Sequence, residues 1–193
     1  MTVTTKPKTV PLTHHRFSVA EYERMAQVGI LQEDDRLELI AGEIVEMSPI
    51  GSRHAACVNR IAMYLTRNVG DAAIVSTQNP IRLDDYSAPQ PDVALLSYRD
   101  NFYAGAHPTA ADVLLVVEVA DTSLDYDRYV KLPLYAQAGV PEVWLLSLPT
   151  DTLTIYTAPE AGIYQQAREV KRGESFTATA LPGVTLAVDS ILL

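Results

Sequence analysis

The 193-residue chain is long enough for one domain with a substantial core, and its 48% hydrophobic and 20% charged content is that of an ordinary globular protein. No apolar run approaches the roughly eighteen residues that a membrane-spanning helix needs, and Met1 to Arg16 is too polar to act as a secretory signal. With 24 acidic against 15 basic residues the formal net charge is −9, which argues against tight, nonspecific coating of nucleic acid. A phosphate-binding site would need its basic residues grouped on one face, or its carboxylates neutralised by divalent cations. Cys57 is the single cysteine, so no internal disulfide forms, which agrees with a cytoplasmic protein. Its helical surroundings make it a small buried hydrophobe.

Residues 1–16 are Thr-rich, carry Lys6, Pro7, Lys8 and Pro11 without periodicity, and read as a flexible arm ahead of one domain at 17–193. A helix starts at Ser18, where Glu21 three residues on completes a capping-box pattern, and Gly29 stops it. Leu37 to Ile40 and Glu43 to Met47 flank an Ala41-Gly42 turn, the second piece mixing apolar and acidic residues like a half-buried strand. After a break at Pro49 to Ser52, Arg53 to Asn68 is a helix with Val58, Ile61, Ala62 and Leu65 on one face. Short strands follow at Ala73 to Thr77 and Ile81 to Leu83, then the segment Gln90 to Leu96 and a loop over 97–111.

Val113 to Ala120, reading VLLVVEVA, is the most apolar stretch and fits a central strand covered on both faces. Asp125 to Ala138 is helical up to Gly139, with Pro133 kinking it or marking a fresh start. Val143 to Leu148 and Thr152 to Thr157 pair through a Pro149-Thr150-Asp151 turn, and 163–170 and 184–188 supply further short strands. The fold class is α/β (α+β): a mixed central sheet flanked by helices, with the 53–68 helix in one layer and the 125–138 helix in the other.

Glu118 stands inside the apolar strand, where a lone carboxylate is costly to bury. It must be protonated, paired with a cation or set beside a metal, and a purely structural ion pair is the competing reading. Asp92 precedes the short apolar run Val93 to Leu96, with Pro91 fixing the approach. If the two strands are neighbours, both carboxylates point into one cleft and offer the oxygen ligands that Mg²⁺ takes. Asp127, Lys131 and Tyr135 recur at four-residue intervals and share a helix face. Packed beside Glu118, Lys131 would stabilise charge developing on a phosphate. Packed outward, Asp127 and Lys131 would form only a surface pair worth about 0.3 kcal/mol. His54, opening the second helix, would orient a metal ligand or a phosphate, or merely cap the helix. His14, His15 and His107 show no zinc spacing. Trp144 reads as core, and Tyr135 as a packing residue whose hydroxyl can reach a ligand near Lys131.

Further stretches extend this pattern: Leu37 to Pro49, Gln90-Pro91-Asp92-Val93, Val116-Val117-Glu118-Val119 with Ser123, Tyr126-Asp127-Arg128, Lys131 to Ala136, and Gly139 to Trp144. In this order they resemble the Uma2 family, a branch of the PD-(D/E)xK restriction-endonuclease-like superfamily, from about residue 17 to the C-terminus. The resemblance implies a restriction-endonuclease-like core in which Asp92, Glu118 and the backbone carbonyl of Val119 hold a metal ion. It also gives Glu38 and Gln90 supporting places near the site, beside His54, Asp127 and Tyr135. The superfamily's usual lysine falls two residues after the glutamate, a position held here by Ala120. The resemblance transfers that role to Lys131.

The expected activity is hydrolysis of phosphodiester bonds in DNA by a Mg²⁺- or Mn²⁺-dependent endonuclease leaving 5′-phosphate and 3′-hydroxyl ends. Asp92, Glu118 and Lys131 would be its catalytic residues. A homodimer would supply the two sites that cutting both strands of a duplex requires. A different class, favoured by the acidic charge and by Ala120, is a catalytically silent nuclease-fold binding or regulatory module. A third is a structural dimer whose ion cluster only braces the core.

Overall fold

The computed structural model describes residues 13–32 and 34–192, so the expected arm lies outside the described residues up to residue 12. The chain enters the fold at α1 (Val19–Gln27), whose cap is the predicted one: the Ser18 hydroxyl accepts from the Glu21 amide while the Glu21 carboxylate accepts from the Ser18 amide. A hairpin of β1 (Leu37–Ile40) and β2 (Glu43–Glu46) follows, closed by Ala41 and Gly42 at φ +51° and +85°. That pair of left-handed residues is what a two-residue hairpin turn of matching twist requires. A side chain at Gly42 would also place its Cβ 2.7 Å from that of Arg16.

The central sheet has six strands in the order β3 (Ala73–Thr77), β4 (Val93–Ser97), β5 (Val113–Ala120), β6 (Glu142–Ser147), β7 (Thr152–Glu160) and β8 (Ile163–Lys171). All neighbours run antiparallel except β5 and β6, whose parallel pairing demands a crossover. The period of two along each strand sorts the side chains into two cores. Val93, Leu95, Leu115, Val117, Val119, Trp144 and Leu146 face α2 (Ser52–Val69) and pack on its Cys57, Val58, Ile61 and Leu65. Ala94, Leu96, Val116 and Val143 face the other way, onto Tyr135, Ala136 and Val140 of the crossover. Each large apolar side chain so buried stabilises the fold by about 1.5–3 kcal/mol. The two-layered mixed sheet expected from the sequence is the one observed.

The crossover is less regular than the expected single helix over 125–138. It runs as α3 (Leu124–Tyr126), one π-helical turn (Asp127–Lys131) and α4 (Leu132–Gln137). The Leu132 amide reaches back five residues to the Asp127 carbonyl, which widens the turn. Pro133 then falls in the first turn of α4, where its missing N–H leaves no bond unmade. Ile81 to Leu83 is not a strand either. Its amides bond to the carbonyls of Pro89 and Ser87 in one segment and of Pro108 in another, and only Arg82 makes an isolated bridge, to Thr109. The segment at 184–188 contains β10 (Thr185–Ala187), which pairs with β9 (Ser175–Thr177), a three-residue strand too short to leave a sequence pattern. Among the described residues no helix is long and apolar enough to cross a membrane.

Cys57 is fully buried beneath the C-terminal segment, its thiol 3.4 Å from the Ile191 carbonyl. Burial, with a further push from Asp92, raises the thiol to about 11. At pH 8 on the order of one thiol in a thousand is then the reactive thiolate. Alkylation of the native protein should therefore be slow and become rapid on adding urea; fast native labelling would contradict this burial.

Candidate active site

One end of the sheet, where β4 begins and β5 ends, opens into a cleft of about 400 Å³. Elements from both layers and from the β1–β2 hairpin line it, so the site is assembled from chain segments far apart in sequence. Glu118 and Asp92 come from the neighbouring strands β5 and β4. One step beyond the Val93–Val117 pair, the Asp92 amide lies 3.4 Å from Glu118 Oε2. Both carboxylates therefore line the same cleft.

Glu118 is only 3% exposed, and two groups from the crossover meet it. Lys131 Nζ stands 2.6 Å from Oε1, and the Tyr135 hydroxyl donates to the same oxygen at 2.6 Å. Lys131, itself 4% exposed, is also 3.6 Å from Glu38 Oε2 and 3.5 Å from the Gln90 carbonyl. Glu38 is held in turn by the Tyr126 hydroxyl on Oε1 and the Gln90 amide on Oε2, both at 3.0 Å, while the Gln90 side chain donates to the Leu37 carbonyl. The Asp127–Lys131 surface pair is thus corrected: both side chains are buried, and Asp127 accepts from the Ser123 hydroxyl at 2.7 Å. The π turn directs both into the cleft and leaves Tyr129 and Val130 outside.

Asp92 is anchored from the opposite layer. Its Oδ2 accepts from the Val119 amide at 2.9 Å and lies 3.1 Å from His54 Nε2. His54 sits on the third residue of α2 and does not cap it, since the cap residue is Gly51 with no side-chain bond. Its hydrogen bond to Asp92 raises the imidazole above its ordinary value, against the opposing effect of burial, with the Asp92 and Asp127 charges adding.

Four carboxylates, Glu38, Asp92, Glu118 and Asp127, thus crowd around a single ammonium. Burial raises Glu118 to about 8, Lys131 pulls it down, and Asp127 and Asp92 push it further up. Burial alone would lower Lys131, but Glu118, Glu38 and Asp127 more than offset it, so the ammonium stays charged. Asp127 is also raised, by burial first, with Lys131 and Ser123 opposing. The site carries more negative charge than its own cation balances, and two oxygens are only lightly engaged. Asp92 Oδ1 has a single contact, Gln78 at 3.4 Å, and Glu118 Oε2 has only the 3.4 Å Asp92 amide. Hard oxygen donors with surplus charge suit a divalent cation that keeps several waters. Among the described residues no group of three or more His, Cys, Asp or Glu side chains is arranged to hold a metal, so such an ion would rest on the two carboxylates with backbone and water.

The family model described as "Putative restriction endonuclease", Uma2, matches residues 19–189. The chain belongs to the Uma2 family. Among solved structures it is similar to a "putative nuclease belonging to DUF820" from Anabaena variabilis, at 13% identity and a TM-score of 0.70. That likeness covers 91% of this chain and 97% of the other, and it shows a shared fold. No curated protein matches the chain.

Within this Uma2 chain, the structure brings together every side chain singled out in the sequence: Asp92, Glu118 and Lys131 with Glu38, His54, Gln90, Asp127 and Tyr135. Sequence reasoning gave no site role to Tyr126 or Ser123, which hold Glu38 and Asp127. Both lie on the motif stretches, but their partners are set by folding alone. Arg36, which also lines the cleft, was missed outright.

The electrostatics predict a pH-dependent cost for removing the ammonium. Because the folded Glu118 sits near 8 against an ordinary 4.5, the native chain keeps a proton that the unfolded chain has lost between those values. Its contribution to stability is therefore full below pH 4.5 and lost as pH rises through about 8. Lys131→Met raises Glu118 further and should cost about 3 kcal/mol near pH 8. The cost should shrink towards pH 5. Urea denaturation across this range measures it; a loss independent of pH would show that the pair is not electrostatically coupled.

Proposed function

We propose that this Uma2 protein is a divalent-metal-dependent endonuclease hydrolysing phosphodiester bonds in DNA, with Mg²⁺ or Mn²⁺ as its ion. The observation that carries this reading is the convergence of Asp92 and Glu118 on one cleft with the Lys131 ammonium 2.6 Å from Glu118. A structural brace would need only the Glu118–Lys131 pair; it would not need a second carboxylate with an oxygen facing the cleft.

In this reading Asp92 Oδ1, Glu118 Oε2 and the Val119 carbonyl hold the ion. When bound, it supplies Lewis-acid polarisation of the phosphoryl oxygen. The chain's own residues do the rest. His54 and the Val119 amide fix Asp92 through Oδ2, and Lys131 and Tyr135 fix Glu118 through Oε1. Each carboxylate then presents a defined oxygen, which is the orienting work of outer contacts at a metal site. Lys131 Nζ, kept protonated by three carboxylates, orients the attacking water and stabilises charge developing on phosphorus. Glu38, Gln90 and Tyr126 hold that ammonium in place.

The buried ammonium also bears on the alternative of a silent binding module, which Ala120 had favoured. The charge missing from the strand is present beside Glu118, delivered by the crossover. A homodimer acting on the two strands of a duplex belongs to the same proposal. The test is cleavage of DNA by purified protein with Mg²⁺ or Mn²⁺. Asp92→Ala should lower the rate at least about 100-fold, and undiminished cutting in that variant would end the proposal.

A further inference from the structure

The cleft contains a second cation whose side chain has no ion-pair or hydrogen-bond partner among the described residues. Arg36 lies two residues before Glu38, so the alternation of a strand sends both side chains the same way, and both line the cleft. Arg36 Nε is buried and has no hydrogen-bond partner among the described residues. The ion pairs at the cleft are Lys131 with Glu118 and Glu38, and His54 with Asp92; Arg36 enters none, although Glu38 and Glu46 line the same cavity. A buried N–H left unbonded costs on the order of 1–3 kcal/mol. In a chain with 24 acidic residues, an arginine that enters no ion pair among the described residues has its charge open to another anion.

The geometry points to Arg36 as the clamp for a phosphate of the nucleic-acid strand seated in the cleft. The inference rests on the proposed nuclease reading and deepens it by assigning substrate binding to a residue outside the metal ligands. With Nε turned away from the cavity, the guanidinium still carries paired Nη–H donors in a fixed fork that matches two non-bridging phosphate oxygens, which a lysine ammonium cannot reproduce. Beside it, next to the Met47 amide that bonds to the Arg36 carbonyl, Val45, Met47, Pro49 and Ile50 line the same cavity with apolar surface that suits the sugar and base of the same nucleotide. Arg36 thereby supplies locally the positive charge that the whole chain lacks, and the binding surface need not be basic.

The test titrates a fluorescein-labelled oligodeoxynucleotide into wild-type, Arg36→Met and Arg36→Lys protein with Ca²⁺ in place of Mg²⁺. Arg36→Met should bind about 10- to 100-fold more weakly. Arg36→Lys should recover only part of that loss, and in cleavage assays KM should rise more than kcat falls. Mn²⁺ affinity should match wild type in both variants, and the urea midpoint of Arg36→Met should be no lower than that of wild type. Equal binding by wild type and Arg36→Met overturns the clamp. So does absence of binding by wild type, or a loss matched by an equal loss of Mn²⁺ affinity or of stability. If no metal supports cleavage while the Arg36 contrast in binding persists, the hydrolase reading falls and the clamp stands.

Discussion

A carboxylate inside the most apolar strand of the protein is the constraint from which the rest of the site follows. Glu118 cannot sit in β5 without a partner, and the cost of burying it unpaired is on the order of several kcal/mol. The strand's own neighbours cannot help, because the adjacent positions on its face are apolar. The donors must come from the layer above, and the parallel pairing of β5 with β6 already forces a crossover across that face. Lys131 and Tyr135 occupy the crossover at the point where it passes over Glu118. The π turn lies in this same stretch. Asp127 and Lys131, four residues apart, point inward from it while Tyr129 and Val130 stay at the surface. Such turns recur at functional sites because they shift a side chain's angle without breaking the helix.

The opposite layer is tied to the same point through Asp92. Its carboxylate bonds to the Val119 amide, next in chain to Glu118, and to His54 of α2. The two layers, otherwise separated by the sheet, therefore share one polar network at the sheet's end. The hairpin contributes the third side with Glu38, which links Tyr126, Gln90 and Lys131. Charge in this network is unbalanced by construction. Burial first, with the neighbouring carboxylates adding and Lys131 opposing, keeps the proton on Glu118 to an unusually high pH, while the same carboxylates hold Lys131 charged. The imbalance is local, and the formal charge of −9 says little about what the cleft can bind.

The features legible in the sequence were those that depend on neighbours along the chain. The Ser18 and Glu21 cap, the Ala41-Gly42 turn and the apolar stripe of α2 are each set within a few residues, and each is present. The run at Val113 to Ala120 was also readable, because a strand buried on both faces has no polar side to disguise it. Ile81 to Leu83 misled for the opposite reason: its apolar residues pack inward, but its amides serve two separate loop segments, which local composition does not encode. Within the site, Glu118 announced itself as a charge out of place, and Lys131 and Tyr135 followed from four-residue spacing. Tyr126 and Ser123 carried no such signal, since an ordinary hydroxyl in a helical segment acquires meaning only from the carboxylate opposite. Arg36 was the least visible. An arginine before a strand normally faces solvent, and only the folded cleft shows its Nε without a partner.

The departure from the superfamily's usual spacing has a simple geometric account. Position 120 lies two residues beyond Glu118 and on the same face of β5, so a lysine there would lean over the carboxylate from its own strand. Ala120 is fully buried and takes little room, which leaves that volume to a side chain arriving from the crossover. Lys131 comes from the crossover and places its ammonium 2.6 Å from Glu118 Oε1. The long, flexible lysine stem can deliver a positive charge to that carboxylate from either element. The price of the longer route is that the charge must be held, since a helix side chain has more freedom to swing away than one rooted beside the carboxylate. Glu38, the Gln90 carbonyl and, through Glu38, Tyr126 do that holding. Where the strand carries Ala120, the folded chain sets beside Glu118 a lysine from the crossover, together with the residues that hold it there.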